Sequence, residues 1–592
     1  MKDHVMPVTK TEPPSIRSVE PRTTVQVTIK NTLILEGPIG TSIESFLIEA
    51  GKTDTTIPRD LLMGGIVDGR LRELAYPIMR DAVLDPVLLT SSDGGRIYRR
   101  SLVMLLATAV DELWPEIQVS VSYAIPEGGF YCQMLNRPQL SDDELKQLEL
   151  QMRSIVNSDD PITKRIAGRD EAATLFAARN EDGKVRLLEQ RTRSDLTLYD
   201  LRGREDYFYG YMLPSTRYLQ TFRLIPTTGG FILQYPRKEH PTELPEIEGV
   251  GKLVQVFQQA DGWLARLGVE DIGRLNQITR ENRAQELILV AEALHEQLIA
   301  QIAGDIREQH EDHQVQLVLI AGPSSSGKTT FSKRLAIQLL AHGIQPFTVE
   351  MDMYFVDRER TPRDAKGDYD FEALQAINLP IFNRHLLQLM AGEETRLAHF
   401  DFIKGKSGEG ITAQLKPNQI IIVEGIHGLN PGLVPDIPSE KVYRIYVSAL
   451  TQLNTDIHNR VSTTDVRLLR RIVRDSQHRG YNAADTLRRW QSVRRGEKQN
   501  IFPYQENAHA LFNSALVYEL AALRPWAEPL LLQVEPGTPT HIEANRLLSF
   551  LRWVQPLSPA QQDMIPDTSL LREFIGGSIL HEYLPGGIQR QV

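Results

Sequence analysis

Residues 315–330 read VQLVLIAGPSSSGKTT, an apolar run followed by a turn rich in Gly and Ser and then by Gly-Lys-Thr-Thr. The segment from Gly322 to Thr329 has the spacing G-x-x-x-x-G-K-[ST], in which backbone N–H groups surround phosphates at a helix N-terminus. A strand pattern precedes it and a helical pattern follows over 331–341, so an accidental Gly/Ser-rich turn explains it poorly. We therefore predict a nucleotide-binding loop, called the P-loop below. Its predicted ATP-binding residues are Gly322, Ser324, Ser325, Ser326, Gly327, Lys328, Thr329 and Thr330.

The sequence around the P-loop alternates apolar strand patterns with helical stretches from about Val315 to Val534. Such alternation predicts a parallel sheet flanked by helices. Within the P-loop, Lys328 is expected to reach the β- and γ-phosphates, and the Thr329 hydroxyl is expected to contact Mg²⁺.

Two acidic residues downstream of the P-loop are placed to distinguish a kinase from other nucleotide-binding proteins. Asp352 follows the apolar stretch after the first helix and could take a proton from a substrate hydroxyl, although an acid in a surface loop would look the same. Glu424 ends the run of apolar residues 420–423, at the carboxyl end of a strand where open α/β sheets bind ligands. A charge at that position is better explained by Mg²⁺ or its waters than by packing.

A series of arginines follows at helical spacing: Arg467, Arg470, Arg471, Arg474 and then Arg479. This spacing places several guanidinium groups on one helical face. An ordinary basic surface helix is the alternative, but downstream of a P-loop the series favours a lid whose arginines stabilise the charge on a transferring phosphoryl group.

The bulk composition excludes some classes of protein. The chain has 592 residues, so several domains are expected, and its hydrophobic (41%) and charged (24%) fractions are those of a globular protein. A formal net charge of −10 disfavours a nucleic-acid partner. The single cysteine, Cys132, indicates a reducing compartment, and we expect the cytoplasm. We find no run of about 18 apolar residues, so we expect neither a transmembrane helix nor a membrane partner.

The N-terminal half has shorter and more β-like patterns, which predict a small β-grasp unit and then an α+β domain with helices at 102–113 and 141–155 and a strand at 118–125. The predicted fold class is thus multidomain, α/β in the C-terminal part and α+β in the N-terminal part. The predicted divisions are a flexible tail (1–24), a β-grasp domain (25–90), an α+β domain (91–245), a helical connector (246–310), a P-loop domain (311–534) and a C-terminal helical tail (535–592).

Residues 314–532 resemble the uridine kinase and phosphoribulokinase family of P-loop kinases. The family's motifs are matched in order by Asp352-Met353-Tyr354-Phe355, Tyr369-Asp370, Phe400-Asp401-Phe402, Glu424-Gly425-Ile426, and the arginine series that ends at Arg479-Gly480. The resemblance implies that Asp352 is the general base, and that Thr329, Asp352 and Glu424 surround Mg²⁺. It implies that Asp370 binds the hydroxyls of a substrate sugar.

The same resemblance assigns the remaining site residues. Lys328, Arg470, Arg474 and Arg479 would act on the phosphoryl group, and Tyr369, Phe400 and Arg467 would contact substrate. The chain departs from uridine kinases at two positions, because Phe400 and Gly405 replace the Tyr and His that contact the pyrimidine.

The segment from Val25 to about Phe231 resembles the amino-terminal region of threonyl-tRNA synthetase, a TGS domain followed by an editing domain. The similar stretches include Gly65-Ile66-Val67-Asp68-Gly69, Leu113-Trp114-Pro115 and Gly128-Gly129-Phe130-Tyr131. Editing in that family depends on three histidines and a cysteine, which are replaced here by Arg100, Met104, Phe208 and Met212. Since Met and Phe can neither bind a hard metal nor act as general bases, we predict no aminoacyl-tRNA hydrolysis.

Three functions are compatible with these patterns. The first is an ATP- and Mg²⁺-dependent kinase acting on a small hydroxyl-bearing acceptor, with a nucleoside 5′-hydroxyl as the preferred acceptor. The second is an ATP-binding regulator that contacts RNA or a translation partner, which the acidic composition disfavours. The third is a sugar-phosphate kinase of the phosphoribulokinase type.

Overall fold

The computed structural model describes residues 21–125, 128–189, 191, 193–247, 257, 262–313, 315–363, 367, 369–451 and 453–585. Most of the predicted tail at 1–24 and part of the predicted connector lie outside these residues. The strands are β1 Thr24–Ile29, β2 Leu33–Pro38, β3 Leu62–Val67, β4 Arg70–Arg72, β5 Ala82–Leu88, β6 Val119–Ile125, β7 Gly129–Met134, β8 Thr163–Gly168, β9 Asp195–Leu201, β10 Arg204–Asp206, β11 Arg223–Thr227, β12 Gly230–Gln234, β13 Leu317–Ala321, β14 Gln345–Glu350, β15 Thr395–Asp401, β16 Lys406–Ala413, β17 Gln419–Glu424, β18 Val442–Ser448 and β19 Ala510–Asn513. The helices are α1 Ile43–Gly51, α2 Ser92–Leu113, α3 Asp142–Asn157, α4 Arg169–Ala178, α5 Asp182–Glu189, α6 Ile272–Arg280, α7 Ala284–His313, α8 Lys328–Ala341, α9 Leu379–Met390, α10 Thr463–His478, α11 Ala483–Asn500, α12 Glu519–Leu532, α13 Pro539–Leu551, α14 Pro559–Gln562 and α15 Arg572–Ile575.

The first sheet has the strand order β2-β1-β5-β3-β4, with β1 and β5 parallel and the other pairs antiparallel. A parallel central pair crossed by one helix, here α1, is the β-grasp arrangement. Ser42 caps that helix, because its side chain accepts a hydrogen bond from the Ser45 N–H at 3.2 Å.

The following region combines helices with two antiparallel sheets, ordered β11-β12-β7-β6 and β10-β9-β8. Its long helix α2 begins at Ser92, ten residues before the start that the sequence predicts. The sequence does not indicate this first part of the helix, because it contains two glycines, at positions 94 and 95, and glycine is a poor helix former. Gly94 is required there, because a Cβ would lie 2.1 Å from the Leu88 carbonyl oxygen.

The C-terminal half is built on a five-stranded sheet, ordered β14-β17-β13-β18-β19, in which every pair is parallel. This confirms the predicted α/β fold. The central strand β13 leads into the P-loop and then into α8, and β15 and β16 form a separate antiparallel hairpin. The carboxyl ends of β13, β14 and β17 therefore meet at one edge of the sheet, where Gly322, Asp352 and Glu424 follow or end them.

Helix α7 packs against the P-loop helix α8. Its segment Ala284–Asp312 is long and apolar enough to cross a membrane by length and composition alone. Its charged residues nevertheless have partners in the domain core, because Arg334 of α8 pairs with Glu292 at 3.4 Å and with Glu296 at 2.7 Å. The apolar face of α7 is thus that of a core helix.

A buried charge cluster joins the N-terminal half to the P-loop domain. Lys184 Nζ contacts the carboxylates of Asp206 and Glu181 and lies 3.0 Å from Nδ1 of His458, which follows β18. His458 in turn lies 2.9 Å from Asp206. Because the lysine ammonium occupies the centre, these side chains form an ion-pair network between the two halves.

The C-terminal segment is packed on the P-loop domain. Helix α13 lies against α12, and Phe574 and Leu570 are fully buried. Within the segment 535–592, predicted to be helical, α15 is a single turn that begins at Arg572. The domain limits stated above remain predictions, and one hydrophobic core links residues from Ala167 to Ile575.

Candidate active site

The P-loop is a tight turn between β13 and α8. Ser325 has φ +58° and Gly327 has φ +84°, the left-handed conformations that such a turn requires. Gly322 has no room for a side chain, because a Cβ would lie 2.0 Å from the Val447 carbonyl oxygen. The first N–H groups of α8 therefore point into one concave site.

Two carboxylates of the protein already accept hydrogen bonds from N–H and hydroxyl groups of this site. The N–H of Ser324 donates to Glu497 at 2.9 Å. The N–H and the hydroxyl of Thr330 donate to Glu573 at 3.2 and 2.9 Å. Carboxylates bind here for the reason that phosphates do, since the donors lie at a helix N-terminus.

The segment that carries Glu573 continues along the P-loop helix. Lys333 of α8 donates from Nζ to the carbonyl oxygens of Leu580 and His581 at 2.7 and 2.8 Å. Leu570 packs so closely on Gly327 that a Cβ there would lie 2.2 Å from it. The C-terminal tail thus covers the start of α8.

Replacing Glu573 with Gln is expected to tighten ATP binding about tenfold. The carboxylate competes with a phosphate for the Thr330 donors, and a hydrogen bond to a charged group contributes about 1.5–3 kcal/mol. Isothermal titration with ATP measures the change, and Glu582→Gln, an exposed acid on the same tail, is the control. An unchanged affinity in Glu573→Gln would contradict competition at this position.

The predicted Mg²⁺ residues lie together. The Thr329 hydroxyl donates to Glu424 at 3.1 Å. Burial raises the pKa of Glu424 to about 7, and Lys328 opposes this shift. Burial also raises the pKa of Asp352, with Lys328 and Arg479 opposing it. A hydroxyl beside two carboxylates is an oxygen donor set of the kind that Mg²⁺ prefers, so these residues fit the ion.

The arginine series divides into two groups. Arg467 and Arg470 are 1% and 0% exposed. Arg467 Nε donates to the Ser324 carbonyl at 2.9 Å and its guanidinium pairs with Glu497, whereas Arg470 pairs with Glu519 at 2.5 Å. The structure therefore corrects their predicted roles, because both lie behind the P-loop and neither can close over a phosphoryl group or contact substrate.

The second group surrounds Asp475. Arg471, Arg474 and Arg479 lie 3.2, 2.9 and 3.7 Å from its carboxylate, and Arg471 also donates to the Ser324 hydroxyl at 2.7 Å. The predicted action of Arg474 and Arg479 on the phosphoryl group stays a prediction, and Arg479 interacts electrostatically with Asp352. Arg471, a member of the predicted lid series, also contacts the P-loop, but through a side-chain hydroxyl on it.

The predicted acceptor residues lie on the other side of Asp352. The Asp370 carboxylate accepts from the Glu372 N–H at 3.1 Å, and Tyr369 stacks under Arg363 at 4.3 Å. Phe400 is 3% exposed and packs edge-on against Phe355, with ring centroids 5.7 Å apart. Phe400 is thus packed in a cluster of aromatic rings with Phe355 and Phe402.

Gly405 occupies the position where uridine kinases have a His. Its φ is +67°, and a Cβ would lie 2.8 Å from Nε of Arg358. Arg358 also donates to the Phe402 carbonyl at 2.7 Å. An arginine has therefore taken the space that a base-reading histidine would need.

Three acidic residues of the site were missed in the sequence: Glu372, Glu497 and Glu573. Glu372 lies two residues after Asp370, and its neighbours include Glu497, Arg471 and Lys328. Burial and Glu497 raise its pKa from 4.5 to about 7. The one signal in the sequence that could have indicated Glu372 as a site residue was its position next to Tyr369-Asp370.

Replacing Glu372 with Gln is expected to raise stability more at pH 8 than at pH 5. Because the folded-state pKa lies above the unfolded-state value, ionisation opposes folding, and stability is lost as pH rises from 4.5 to about 7. Thermal unfolding of both proteins at the two pH values measures this difference. Glu359→Gln, an exposed acid, is the control, and an equal effect at both pH values would refute the expectation.

The positions that correspond to the editing residues are mostly packed in the N-terminal core. Met104, Phe208 and Met212 are 0%, 2% and 1% exposed, and Arg100 donates to the Tyr211 carbonyl at 2.5 Å. Apolar packing has thus replaced the groups that would position a water.

Comparisons with known proteins assign the two halves separately. Residues 317–520 match the model of the Phosphoribulokinase / Uridine kinase family. The chain is 37% identical over 170 residues to a threonine–tRNA ligase of Burkholderia lata, covering 28% of this chain and 27% of the ligase. A ligase of Polaromonas naphthalenivorans is 34% identical over 183 residues, covering 31% and 28%. The chain thus spans little more than a quarter of the length of these curated relatives.

Among solved structures, D-glycerate 3-kinase from Cryptococcus neoformans is 16% identical, with a TM-score of 0.20, covering 45% of this chain and 89% of that one. The family match gives the site its general chemistry, that of a P-loop kinase. The chain therefore carries a kinase domain of the phosphoribulokinase/uridine kinase family, joined to an N-terminal region similar to part of threonine–tRNA ligase.

Proposed function

We propose that the protein transfers the γ-phosphoryl group of ATP to a hydroxyl of a small acceptor, with a nucleoside 5′-hydroxyl as the preferred acceptor. The observation that carries the proposal is the convergence of Asp352, Lys328 and Arg479, which interact electrostatically beside the P-loop. An acid, a phosphate-binding lysine and an arginine are the three groups that phosphoryl transfer to an alcohol needs.

In this reaction the P-loop N–H groups and Lys328 hold the phosphates. Asp352 accepts the proton of the acceptor hydroxyl, whose oxygen forms a bond to the γ-phosphorus while the bond from that phosphorus to the ADP oxygen breaks. Arg471, Arg474 and Arg479 offset the charge that develops on the transferring group. Thr329, Asp352 and Glu424 would hold Mg²⁺, which neutralises phosphate charge when bound.

The carboxylate pKa values support this assignment. Desolvation is the largest cause of the raised pKa values of Glu424 and Asp352, and nearby acids add to it: Glu573 and Asp352 for Glu424, and Glu350 for Asp352. Groups with strongly perturbed pKa values at the carboxyl edge of a parallel sheet are typical of catalytic sites. A cation would relieve the same repulsion.

The test is an acceptor screen. The protein is incubated with ATP, Mg²⁺ and a panel of nucleosides, and the formation of ADP and nucleoside monophosphate is followed, with Lys328→Ala as the matched control. Stoichiometric ADP and monophosphate that disappear in the control support the proposal. ATP binding without acceptor-stimulated ADP, together with an RNA mobility shift, would instead favour a regulator that contacts RNA.

The second candidate is a sugar-phosphate kinase, and Arg358 is the observation that favours it. This arginine fills the space beside Gly405 where a pyrimidine-reading histidine would stand. A guanidinium on the acceptor side suits an acceptor that already carries a phosphate. Comparing ribulose 5-phosphate with uridine as acceptor separates the two candidates.

A further inference from the structure

A large cavity lies between the two halves of the chain. Its volume is about 740 Å³, within the usual range of small-ligand sites. Its walls come from the start of α2, the strands β6 and β7, the segment 458–465 and helix α11. None of the P-loop residues, Asp352 or Glu424 lines it, so it is separate from the candidate active site.

The lining is rich in arginine, and part of this charge is compensated by acids. Arg546 pairs with Asp465 and with Glu543 at 2.7 Å, and Arg96 pairs with Glu543 at 3.0 Å. These ion pairs form one side of the cavity and bind α13 to α2 and α10. Other arginines of the lining have no such partner.

Three arginines of the lining form no ion pair with any carboxylate in the described part of the chain: Arg99, Arg100 and Arg460. Arg460 stacks over Phe130 at 5.7 Å and Arg99 over Tyr235 at 5.3 Å. Nε of Arg460 is buried and has no hydrogen-bond partner among the described residues. A desolvated guanidinium without a counter-charge is costly, and an anionic ligand would supply that charge.

The electrostatics of these arginines point the same way. The pKa of Arg460 is lowered, chiefly by burial and further by Arg99. The pKa of Arg100 is also lowered by burial, with Arg96 and Arg546 adding to the effect. Like charges are thus held close together in a partly desolvated space, which is the arrangement expected of a site for a multiply charged anion.

The walls between the arginines are aromatic. Phe130 and Tyr235 lie under the guanidinium groups, and Trp490 of α11 lines another part of the cavity. Flat rings stack on bases, whereas guanidinium groups bind phosphates. The volume accommodates one such molecule.

We propose that this cavity, which we call the arginine cavity, binds a nucleoside phosphate at Arg99, Arg100 and Arg460. It is a second nucleotide site, distinct from the P-loop. One residue connects the two, because Arg467 lines the arginine cavity and donates to the Ser324 carbonyl of the P-loop. The proposal does not depend on which acceptor the kinase site uses.

The experiment uses the full chain carrying Lys328→Ala, which weakens nucleotide binding at the P-loop. ADP, inorganic tripolyphosphate and a mixed-sequence 12-nucleotide RNA are titrated at constant ionic strength by calorimetry. We expect saturable binding of ADP at one site per chain, and about tenfold weaker binding when Arg99→Gln or Arg460→Gln is added. Arg80→Gln, at an exposed arginine of the β-grasp sheet, is the control and should leave the affinity unchanged.

Folding is monitored by thermal unfolding, and neither substitution should lower the unfolding temperature, because each removes a charge without a counter-ion. The proposed site would be refuted if ADP showed no saturable binding, or if neither substitution changed the affinity for ADP. Equal affinity for tripolyphosphate and ADP would overturn the nucleoside part of the proposal. Displacement of ADP by the RNA at lower concentration would overturn the choice of a small ligand.

Discussion

Replacing Asp352 with Asn is expected to lower kcat by about 10²- to 10⁴-fold, the usual contribution of a general base. The amide keeps the shape of the carboxyl but cannot accept the proton of the acceptor hydroxyl. The affinity for ATP titrated without Mg²⁺ should change little, because the P-loop donors and Lys328 are untouched. Steady-state kinetics with the best acceptor, together with ATP titration, measure both effects.

The control for this substitution is Asp436→Asn, at an exposed acid of the same domain. It removes the same charge from the surface and should leave kcat unchanged. Turnover that survives Asp352→Asn would exclude Asp352 as the base. In that case the next candidates for the general base would be Glu372 and Glu424, the other carboxyl groups of the site whose pKa values are raised.

The parts of the site that could be predicted are those in which a motif lies at the end of a strand. The P-loop, Asp352 and Glu424 each follow or end a parallel strand, and the sheet brings these ends together. Their mutual closeness therefore follows from the strand pattern alone. Glu497 and Glu573 could not be found in this way, because 173 and 243 residues separate them from the P-loop donors they occupy.

The arginine series shows a different limit. At about 100° per residue, Arg467, Arg470, Arg471 and Arg474 all fall within an arc about 100° wide on α10. Spacing predicts that they share a face of the helix. It cannot tell which of them are exposed to solvent and which are buried against the P-loop. That distinction depends on how α10 packs against α12 and α15, where Glu519 and Phe574 lie close to Arg470.

The extent of α2 was missed for a local reason. Gly94 and Gly95 are poor helix formers, so the pattern predicts a start after them. The contact of Gly94 with the Leu88 carbonyl overrides this preference.

Replacing Arg470 with Met is expected to destabilise the kinase domain by about 3–5 kcal/mol, because it leaves a buried carboxylate without its cation. Glu519 is 2% exposed and forms its ion pair with Arg470, which also donates to the Ser514 carbonyl at 2.8 Å. Denaturant unfolding monitored by Trp fluorescence measures the change. If Arg470 instead acted as a lid residue, the substitution would lower kcat with little loss of stability.

Two further variants separate the structural role of Arg470 from a catalytic one. Arg474→Met lies one turn away on the active-site side, and its partner Asp475 keeps Arg471 and Arg479. We therefore expect it to lower kcat while stability changes little. Adding Glu519→Leu to Arg470→Met should restore much of the lost stability, since an apolar pair replaces a buried ion pair with little net change. Arg470 also donates to the Ser325 carbonyl of the P-loop at 3.4 Å. A double variant as unstable as Arg470→Met would show that its hydrogen bonds to Ser325 and Ser514, rather than its ion pair, hold the P-loop in place.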